Sequence, residues 1–227
     1  MTFNPAGSRH PMDTTPVSAL LFDLDGTLVD TRRDITDSLN EALSRVGRPP
    51  RTIDEVTTFI GDGVRELFSK ALGPGHLEHL DRCCDLFIRH YSQHCADHVI
   101  LYPGVTDVLA HFSHKRLAMV TNKPEHHSRL ILKALKLESF FPVLIGGDTL
   151  PERKPSPLPL LKAAEQLRVD PARTVMVGDN TGDISAARAA GMISCGLTYG
   201  YRSGHDLSLE KPDFLLDHLT ELRRVLS

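Results

Sequence analysis

The sequence of 227 residues predicts an α/β fold: a doubly wound parallel sheet, or Rossmann-like core, that carries an inserted helical domain. Short apolar runs alternate with helical periodicity from about residue 99 onward, one more apolar run lies near the N-terminus, and the segment between them is helical throughout. Strands that alternate with helices need crossover connections, which place helices on both faces of a parallel sheet. The length corresponds to about one and a half domains, which fits a core with a smaller insert.

Composition excludes several classes of protein. Apolar residues make up 41% and charged residues 24%, and the net charge is −3. These fractions are typical of a globular protein, and a nearly balanced charge argues against a nucleic-acid binder. An apolar run of ~20 residues and a basic-apolar leader are both absent from the sequence, so we expect neither a membrane span nor a secretory signal. The four cysteines lack zinc-site spacing and predict reduced thiols in a cytoplasmic protein, and the oligomeric state stays open.

The N-terminal region predicts a leader and then the first strand. Residues 1–17 contain several prolines without apolar periodicity, which is typical of a flexible leader. The apolar run from Ala19 to Phe22 ends in a polar turn that contains glycine, so we predict a strand buried on both faces. The core is therefore predicted to comprise residues 18–30 and 99–227.

Residues 31–98 predict an inserted domain made of helices. Apolar residues from Ile35 to Val46 recur at helical spacing, and Gly47 ends that helix. Thr52 and Glu55 have the spacing of a capping box, which predicts a short helix through Phe59. Two further helices are predicted, one from residue 64 to 72 and a longer one from about residue 77 to 95.

The remainder of the core predicts helices and strands in alternation. The helices lie near residues 105–113, 124–137, 156–169 and 182–190, and the strands at Leu117–Val120, Val143–Ile145, Thr174–Val177, Ile193–Leu197 and Phe214–Leu216. Ligands of such open sheets bind at the carboxyl ends of the strands. The residues that follow each strand are therefore the candidates for chemistry.

Two pairs of acids follow predicted strands. Asp23 and Asp25 follow the first strand, and Asp179 and Asp183 follow the strand at 174–177. If the two strands are neighbours, up to four carboxylates surround one small volume, where mutual repulsion favours a bound cation. Carboxylate oxygens are ligands that Mg²⁺ prefers, particularly where phosphate oxygens complete the coordination. Taken singly, each acid could equally be a turn former or a helix cap.

Polar and cationic residues follow two further strands. Thr121 and Asn122 precede a predicted helix, whose N-terminal N–H groups favour an anion, although either residue could be an ordinary cap. Lys154 lies in a loop stiffened by neighbouring prolines, which can hold an ammonium group in one place. The sequence therefore predicts an anion site beside the acids.

These motifs, in this order, resemble those of the haloacid dehalogenase-like hydrolase superfamily. The motif Asp-x-Asp-Gly-Thr at 23–27 carries most of the resemblance, which extends from about Leu20 to the C-terminus. Within the superfamily the chain is most similar to the phosphoglycolate phosphatases, by residues 22–31, 60–63, 102–105 and 146–148. The resemblance implies an enzyme that takes a small phosphorylated metabolite and uses Mg²⁺.

The resemblance also implies roles for individual residues. Asp23 would be the nucleophile that forms an aspartyl-phosphate, and Asp25 the general acid and base. Metal ligands would come from Asp23, Asp25, Asp179 and Asp183, with the backbone carbonyl serving at Asp25, while Asp183 would act through a water or orient Lys154. The residues expected to bind substrate are Gly26, Thr27, Thr121, Asn122 and Lys154, with Thr121 and Lys154 also catalytic.

The substrate is less well specified than the chemistry. We expect 2-phosphoglycolate, with Arg65 of the insert holding its carboxylate, although Arg65 could equally be a solvated surface residue. The alternatives are a phosphatase for a sugar phosphate or pyrophosphate and a phosphomutase similar to β-phosphoglucomutase, against which Thr27 argues because those mutases tend to carry valine there. A more distant alternative is a non-catalytic module that binds a phosphorylated ligand.

Overall fold

A computed structural model describes residues 15–202 and 204–227. The strands are β1 (Ala19–Phe22), β2 (Val29–Asp30), β3 (Ile100–Leu101), β4 (Arg116–Val120), β5 (Val143–Ile145), β6 (Thr174–Gly178), β7 (Ile193–Leu197) and β8 (Phe214–Leu216). The α-helices are α1 (Arg32–Ser44), α2 (Ile53–Phe59), α3 (Val64–Leu72), α4 (Leu80–His94), α5 (Val105–His111), α6 (Glu125–Ala134), α7 (Leu158–Leu167), α8 (Thr181–Ala189), α9 (Gly204–Leu209) and α10 (Leu222–Val225). The predicted α/β class is confirmed.

Six strands form one parallel sheet in the order β5-β4-β1-β6-β7-β8. The chain builds outward from β1 to β4 and β5, then returns to the other side of β1 with β6. This reversal places the topological switch point between β1 and β6, where open sheets of this kind bind ligands. The acids that follow these two strands therefore meet at the expected binding crevice.

The central strand is buried on both faces because its residues alternate between two apolar clusters. Leu20 and Phe22 belong to the larger cluster, and Ala19 and Leu21 to the smaller one, which α7 and α8 cover. The side-chain period of two explains how four consecutive apolar residues are all buried. The prediction for residues 19–22 is confirmed.

The helices α1 to α4 occupy the segment predicted as the insert. The chain leaves the core through β2 and returns through β3, and these strands pair antiparallel, with Val29 opposite Leu101. The capping box at Thr52 and Glu55 is present, because each residue's side chain accepts from the other's backbone N–H. Leu39, Phe68 and other residues of the insert join the same apolar cluster as β1, so that insert and core share a core.

Part of the segment predicted as a flexible leader packs against the C-terminus. The N–H of Thr15 donates to the carbonyl of Val225 (2.8 Å), and that of Val17 to the carbonyl of Ser227 (2.9 Å). Val17 is also buried. Residues 15–17 therefore belong to the core, whereas residues 1–14 lie outside the described residues. Among the described helices, none is long and apolar enough to cross a bilayer.

Candidate active site

Three carboxylates converge at the switch point. Asp23 follows β1, Asp179 follows β6, and Asp183 lies in the first turn of α8. One oxygen of each lies within 4.8 Å of the others, and both Asp179 and Asp183 are buried. Because like charges in a buried volume repel, this group of hard oxygen donors fits a divalent cation. We refer to these residues as the acid cluster.

Asp179 is held by groups from two loops. The Thr27 hydroxyl donates to Oδ1 (2.8 Å), and the Tyr201 N–H donates to Oδ2 (2.7 Å). Burial raises the pKa of Asp179 to about 8, and the negative charges of Asp23 and Asp183 add to this effect. A cation that shared the site would favour the ionised form, so Asp179 fits the role of a metal ligand.

Two glycines allow the backbone to approach the Asp179 carboxylate closely. Gly26 has a φ of +81°, and a Cβ atom built there would overlap that carboxylate. A Cβ atom on Gly200 would overlap it as well. Gly26 and Thr27, both predicted to bind substrate, therefore contact Asp179 in the structure.

Lys154 neutralises two members of the acid cluster. Its ammonium is 3.1 Å from Asp23 Oδ1 and 2.7 Å from Asp183 Oδ1, and it donates to the Val120 carbonyl (2.7 Å). Burial lowers the pKa of Lys154, but the carboxylates of Asp183 and Asp23 outweigh burial and raise it overall. The three N–H bonds of this ammonium thus have three partners within the protein.

Asp183 links the acid cluster to α8. Its Oδ2 accepts from the N–H of Asn180 (3.0 Å), in a capping box at the start of the helix. Burial raises the pKa of Asp183 to about 6, while the adjacent Lys154 limits the rise. The residue thus combines a cap, an ion pair and a place among the candidate metal donors.

The side chain of Asp25 lies outside the acid cluster, and the ligand predicted at this residue was its backbone carbonyl. Lys123 contacts both of its oxygens, at 3.1 and 2.9 Å, and the Thr31 hydroxyl donates to Oδ1 (2.7 Å). The side chain instead faces the same cavity as Asp23. This placement suits proton transfer and leaves only the backbone carbonyl as a candidate ligand at this position.

Thr121 and Asn122 differ in what they can offer an anion. The Thr121 hydroxyl oxygen accepts from the Lys123 N–H (3.3 Å), so its own hydrogen can be donated to a ligand. Asn122 donates its amide hydrogens to the carbonyls of Gly61 and Lys154, both at 2.9 Å. The side-chain amide of Asn122 therefore joins the insert to the core instead of facing a phosphoryl group as predicted.

A cavity opens between the acid cluster and the insert. Its walls on the insert side are mainly apolar and include Ile60, Val64, Leu67, Phe87 and Tyr91. From the core, Lys123 and His127 join the acids and Thr121 in the lining. The cavity thus combines a polar floor with apolar walls, which is typical of a site for a small ligand.

Arg65 lies on the surface of the insert and not in the cavity, where it was expected to hold a carboxylate. Its guanidinium pairs with Asp81 on the surface, where the two side chains are 64% and 82% exposed. Arg65 follows Gly63 by two residues, but α3 directs Val64 and Leu67, not Arg65, into the cavity. The closeness of Arg65 to Gly63 in the sequence does not indicate which face of α3 lines the cavity.

Sequence reasoning missed Lys123 and the loop that contains Gly200 and Tyr201. This loop follows β7, and the rule that strand ends carry the chemistry, applied to every strand, would have indicated it. Lys123 directly follows the predicted pair Thr121 and Asn122, yet no spacing rule marks it. Its contact with Asp25 depends on how neighbouring strands are placed.

Comparisons with known proteins identify the family of the chain. A sequence model of the haloacid dehalogenase-like hydrolase family matches residues 20–197. Phosphoglycolate phosphatase 1 of Pseudomonas aeruginosa is 38% identical over 213 residues, 89% of this chain and 77% of that protein. The phosphoglycolate phosphatase of Chromobacterium violaceum is 36% identical over 93% of this chain and 97% of its own. A crystal structure described as a predicted phosphoglycolate phosphatase, from Haemophilus somnus, superposes with a TM-score of 0.86 at 32% identity, covering 92% of this chain and 97% of that one.

Proposed function

The chain belongs to the haloacid dehalogenase-like hydrolase family, and we propose that it is a phosphatase that hydrolyses 2-phosphoglycolate to glycolate and phosphate. The observation that carries this proposal is Asp23 at the switch point, in contact with Lys154 and within the acid cluster. The names of the relatives supply the substrate. The polar floor of the cavity provides for a phosphoryl group.

Asp23 would act as the nucleophile. Its Oδ1 accepts from the Leu24 N–H (2.7 Å) and contacts Lys154, so Oδ2 is the oxygen we assign to attack on phosphorus. The new bond to phosphorus replaces the bond to the glycolate oxygen, which leaves an aspartyl-phosphate. Water then displaces the carboxylate from phosphorus, which releases phosphate and restores Asp23.

Asp25 would transfer the two protons that these displacements require. It would donate a proton to the departing glycolate oxygen in the first step and take one from water in the second. Lys123 and Thr31 fix its carboxyl group against the cavity. Thr121, which lines the same cavity, would donate to a phosphoryl oxygen as charge spreads over the group.

The acid cluster would hold Mg²⁺. Asp23 and Asp179 would contribute side chains, the carbonyl of Asp25 a backbone oxygen, and Asp183 either a direct or a water-mediated contact. A bound Mg²⁺ would neutralise the charge that develops on the phosphoryl oxygens. Thr27, Tyr201 and the adjacent glycines keep Asp179 oriented for this role.

The insert would act as a cap that selects the substrate. Its apolar side chains cover the cavity, and the Gly61 carbonyl is tied to Asn122 of the core. Closing an apolar surface over the reacting groups excludes water and strengthens their electrostatic interactions. Residues 31–98 would therefore decide which leaving groups fit.

A screen of small phosphate esters with Mg²⁺ tests the proposal. We expect the highest kcat/KM for 2-phosphoglycolate, and activity that EDTA removes and Mg²⁺ restores. Sugar phosphates, pyrophosphate and β-glucose 1-phosphate represent the alternative activities, and faster turnover of any of them would contradict the assigned substrate. A rate that does not depend on a metal would contradict the role of the acid cluster.

A further inference from the structure

The proposed substrate has two anionic ends, and only one of them has a partner so far. The phosphoryl end would face the cation held by the acid cluster and the hydroxyl of Thr121. The carboxylate end needs its own positive charge, because an unpaired anion in an apolar cavity is strongly disfavoured. Since Arg65 lies on the surface, another group must fulfil this role.

The lining of the cavity offers one side chain of the right charge. Among the described residues that line it, the basic ones are Lys123 and His127. His127 is neutral at pH 7, because burial, together with the charge of Lys123, lowers its pKa to about 4. The walls from the insert are mainly apolar, so Lys123 is the cation that a ligand in this cavity meets.

Lys123 is buried and held on two sides. Its side chain is 5% exposed, and its ammonium contacts both oxygens of Asp25. The same ammonium lies 4.6 Å from the centre of the Tyr91 ring, which α4 of the insert places over it. An ammonium has three N–H donors, so the contacts to one carboxylate leave capacity for a second anion.

We propose that Lys123 determines specificity by binding the carboxylate of the substrate, an inference that rests on the proposed function. Asp25 is assigned to protonate the bridging oxygen, and one methylene separates that oxygen from the carboxylate carbon of 2-phosphoglycolate. A cation that contacts Asp25 at 2.9 Å is therefore within reach of the carboxylate. The Tyr91 ring shields the ammonium from water, which strengthens its attraction for an anion.

Three substrates distinguish the binding of the substrate carboxylate by Lys123 from the positioning of Asp25 by the same side chain. 2-Phosphoglycolate has the carboxylate, 2-hydroxyethyl phosphate has an uncharged leaving group of similar size, and p-nitrophenyl phosphate has a leaving group that needs little help from an acid. In Lys123→Met we expect the ratio of kcat/KM for 2-phosphoglycolate over 2-hydroxyethyl phosphate to fall by at least about tenfold, since a hydrogen bond between charged groups is lost. Weaker positioning of Asp25 would lower both rates relative to p-nitrophenyl phosphate without changing that ratio.

Two further variants complete the test. Lys123→Arg keeps the charge and is expected to retain most of the preference, while Lys162→Met removes a surface lysine of α7 that pairs with Glu165 and should leave the ratio unchanged. If Lys123→Met does not fold, the ratio in Lys123→Gln decides in its place. An unchanged ratio in the neutral variant overturns the role of Lys123. A wild-type enzyme that does not prefer 2-phosphoglycolate over 2-hydroxyethyl phosphate overturns the proposed function itself.

Discussion

Asp23 is the residue at which the proposed chemistry can be separated from folding. In Asp23→Asn the amide oxygen can still accept from the Leu24 N–H, but the group is no longer an anionic nucleophile. We expect kcat to fall by more than about 10³-fold, as when other enzymes lose their nucleophile. Steady-state kinetics measures the loss, and circular dichroism should show a native, cooperatively unfolding protein. Asp81→Asn, at an exposed acid of the insert, is the matched control, and turnover retained in Asp23→Asn would refute the assignment.

A substitution at Thr27 tests how Asp179 is oriented as a metal ligand. Thr27→Val removes the hydroxyl that donates to Asp179 and keeps nearly the same volume. Groups that orient metal ligands typically contribute 10- to 100-fold to metal affinity, so we expect a loss of about that size. The Mg²⁺ concentration for half-maximal activity measures it, and Thr27→Ser, which keeps the hydroxyl, should stay near the wild-type value. Equal affinities in both variants would contradict this role.

Individual residues of the site show how much of its geometry could be predicted from the sequence. That Asp23 and Asp179 meet could be predicted, because the carboxyl ends of neighbouring parallel strands share one edge of the sheet. The direction of each side chain could not, since it depends on the packing of each loop and helix. Arg65 and Lys123 illustrate this difference: the first lies on the outer face of its helix, and the second is held in the cavity by a carboxylate 98 residues away in sequence.

At the scale of elements, the contact between α4 and α6 predicts a dependence of stability on pH. His127 of α6 shares a hydrogen bond with Ser92 of α4 (2.9 Å), and its T-shaped contact with Tyr91 adds to its burial. The folded protein holds its pKa near 4, below the ordinary value of 6.5. Between pH 4 and pH 6.5, His127 binds a proton in the unfolded chain but not in the folded protein. Acidification from pH 7 to pH 5 therefore lowers the free energy of unfolding. We expect His127 to contribute about 1–2 kcal/mol to this loss.

Urea denaturation at both pH values measures that contribution. The wild-type protein should lose more free energy of unfolding between pH 7 and pH 5 than His127→Gln, whose side chain does not titrate. His126→Gln alters the neighbouring histidine, for comparison. Equal pH dependence in wild type and His127→Gln would show that His127 is not the group responsible.

The long elements followed from sequence pattern, and the shortest did not. Strand β1 was predicted with its observed bounds, because four apolar residues before a glycine turn have few other structures available. The strands β2 and β3 have two residues each and depend on their pairing, which joins residues 72 positions apart at Val29 and Leu101. No local periodicity indicates such a pair. Helices α9 and α10 were likewise not predicted, since six and four residues provide too little helical pattern.

At the scale of the whole molecule, the cavity depends on core and insert together. Its floor comes from strand ends of the core and its apolar walls from the insert. The two parts also share an apolar cluster, and Asn122 bridges them. Composition and periodicity could predict two parts but not their shared core, because helical patterns identify an apolar face without indicating its partner. The cavity is therefore a property of the assembled chain.

The acid cluster makes the stability of the whole molecule depend on metal and pH together. In the folded protein the pKa of Asp179 is about 8, well above its ordinary value of 3.8, so without metal its contribution to stability is present at low pH and is lost as the pH rises toward and through 8. Mg²⁺ binds the ionised form and must displace the proton, so its affinity rises over the same range. We therefore expect saturating Mg²⁺ to raise the melting temperature, relative to EDTA, by more at pH 8 than at pH 6. At a free Mg²⁺ concentration 100 times its Kd, the stabilisation would be about 2.7 kcal/mol. Differential scanning calorimetry measures the increment, which Asp179→Asn should lose; an increment independent of pH would mean that Asp179 is already ionised without the metal.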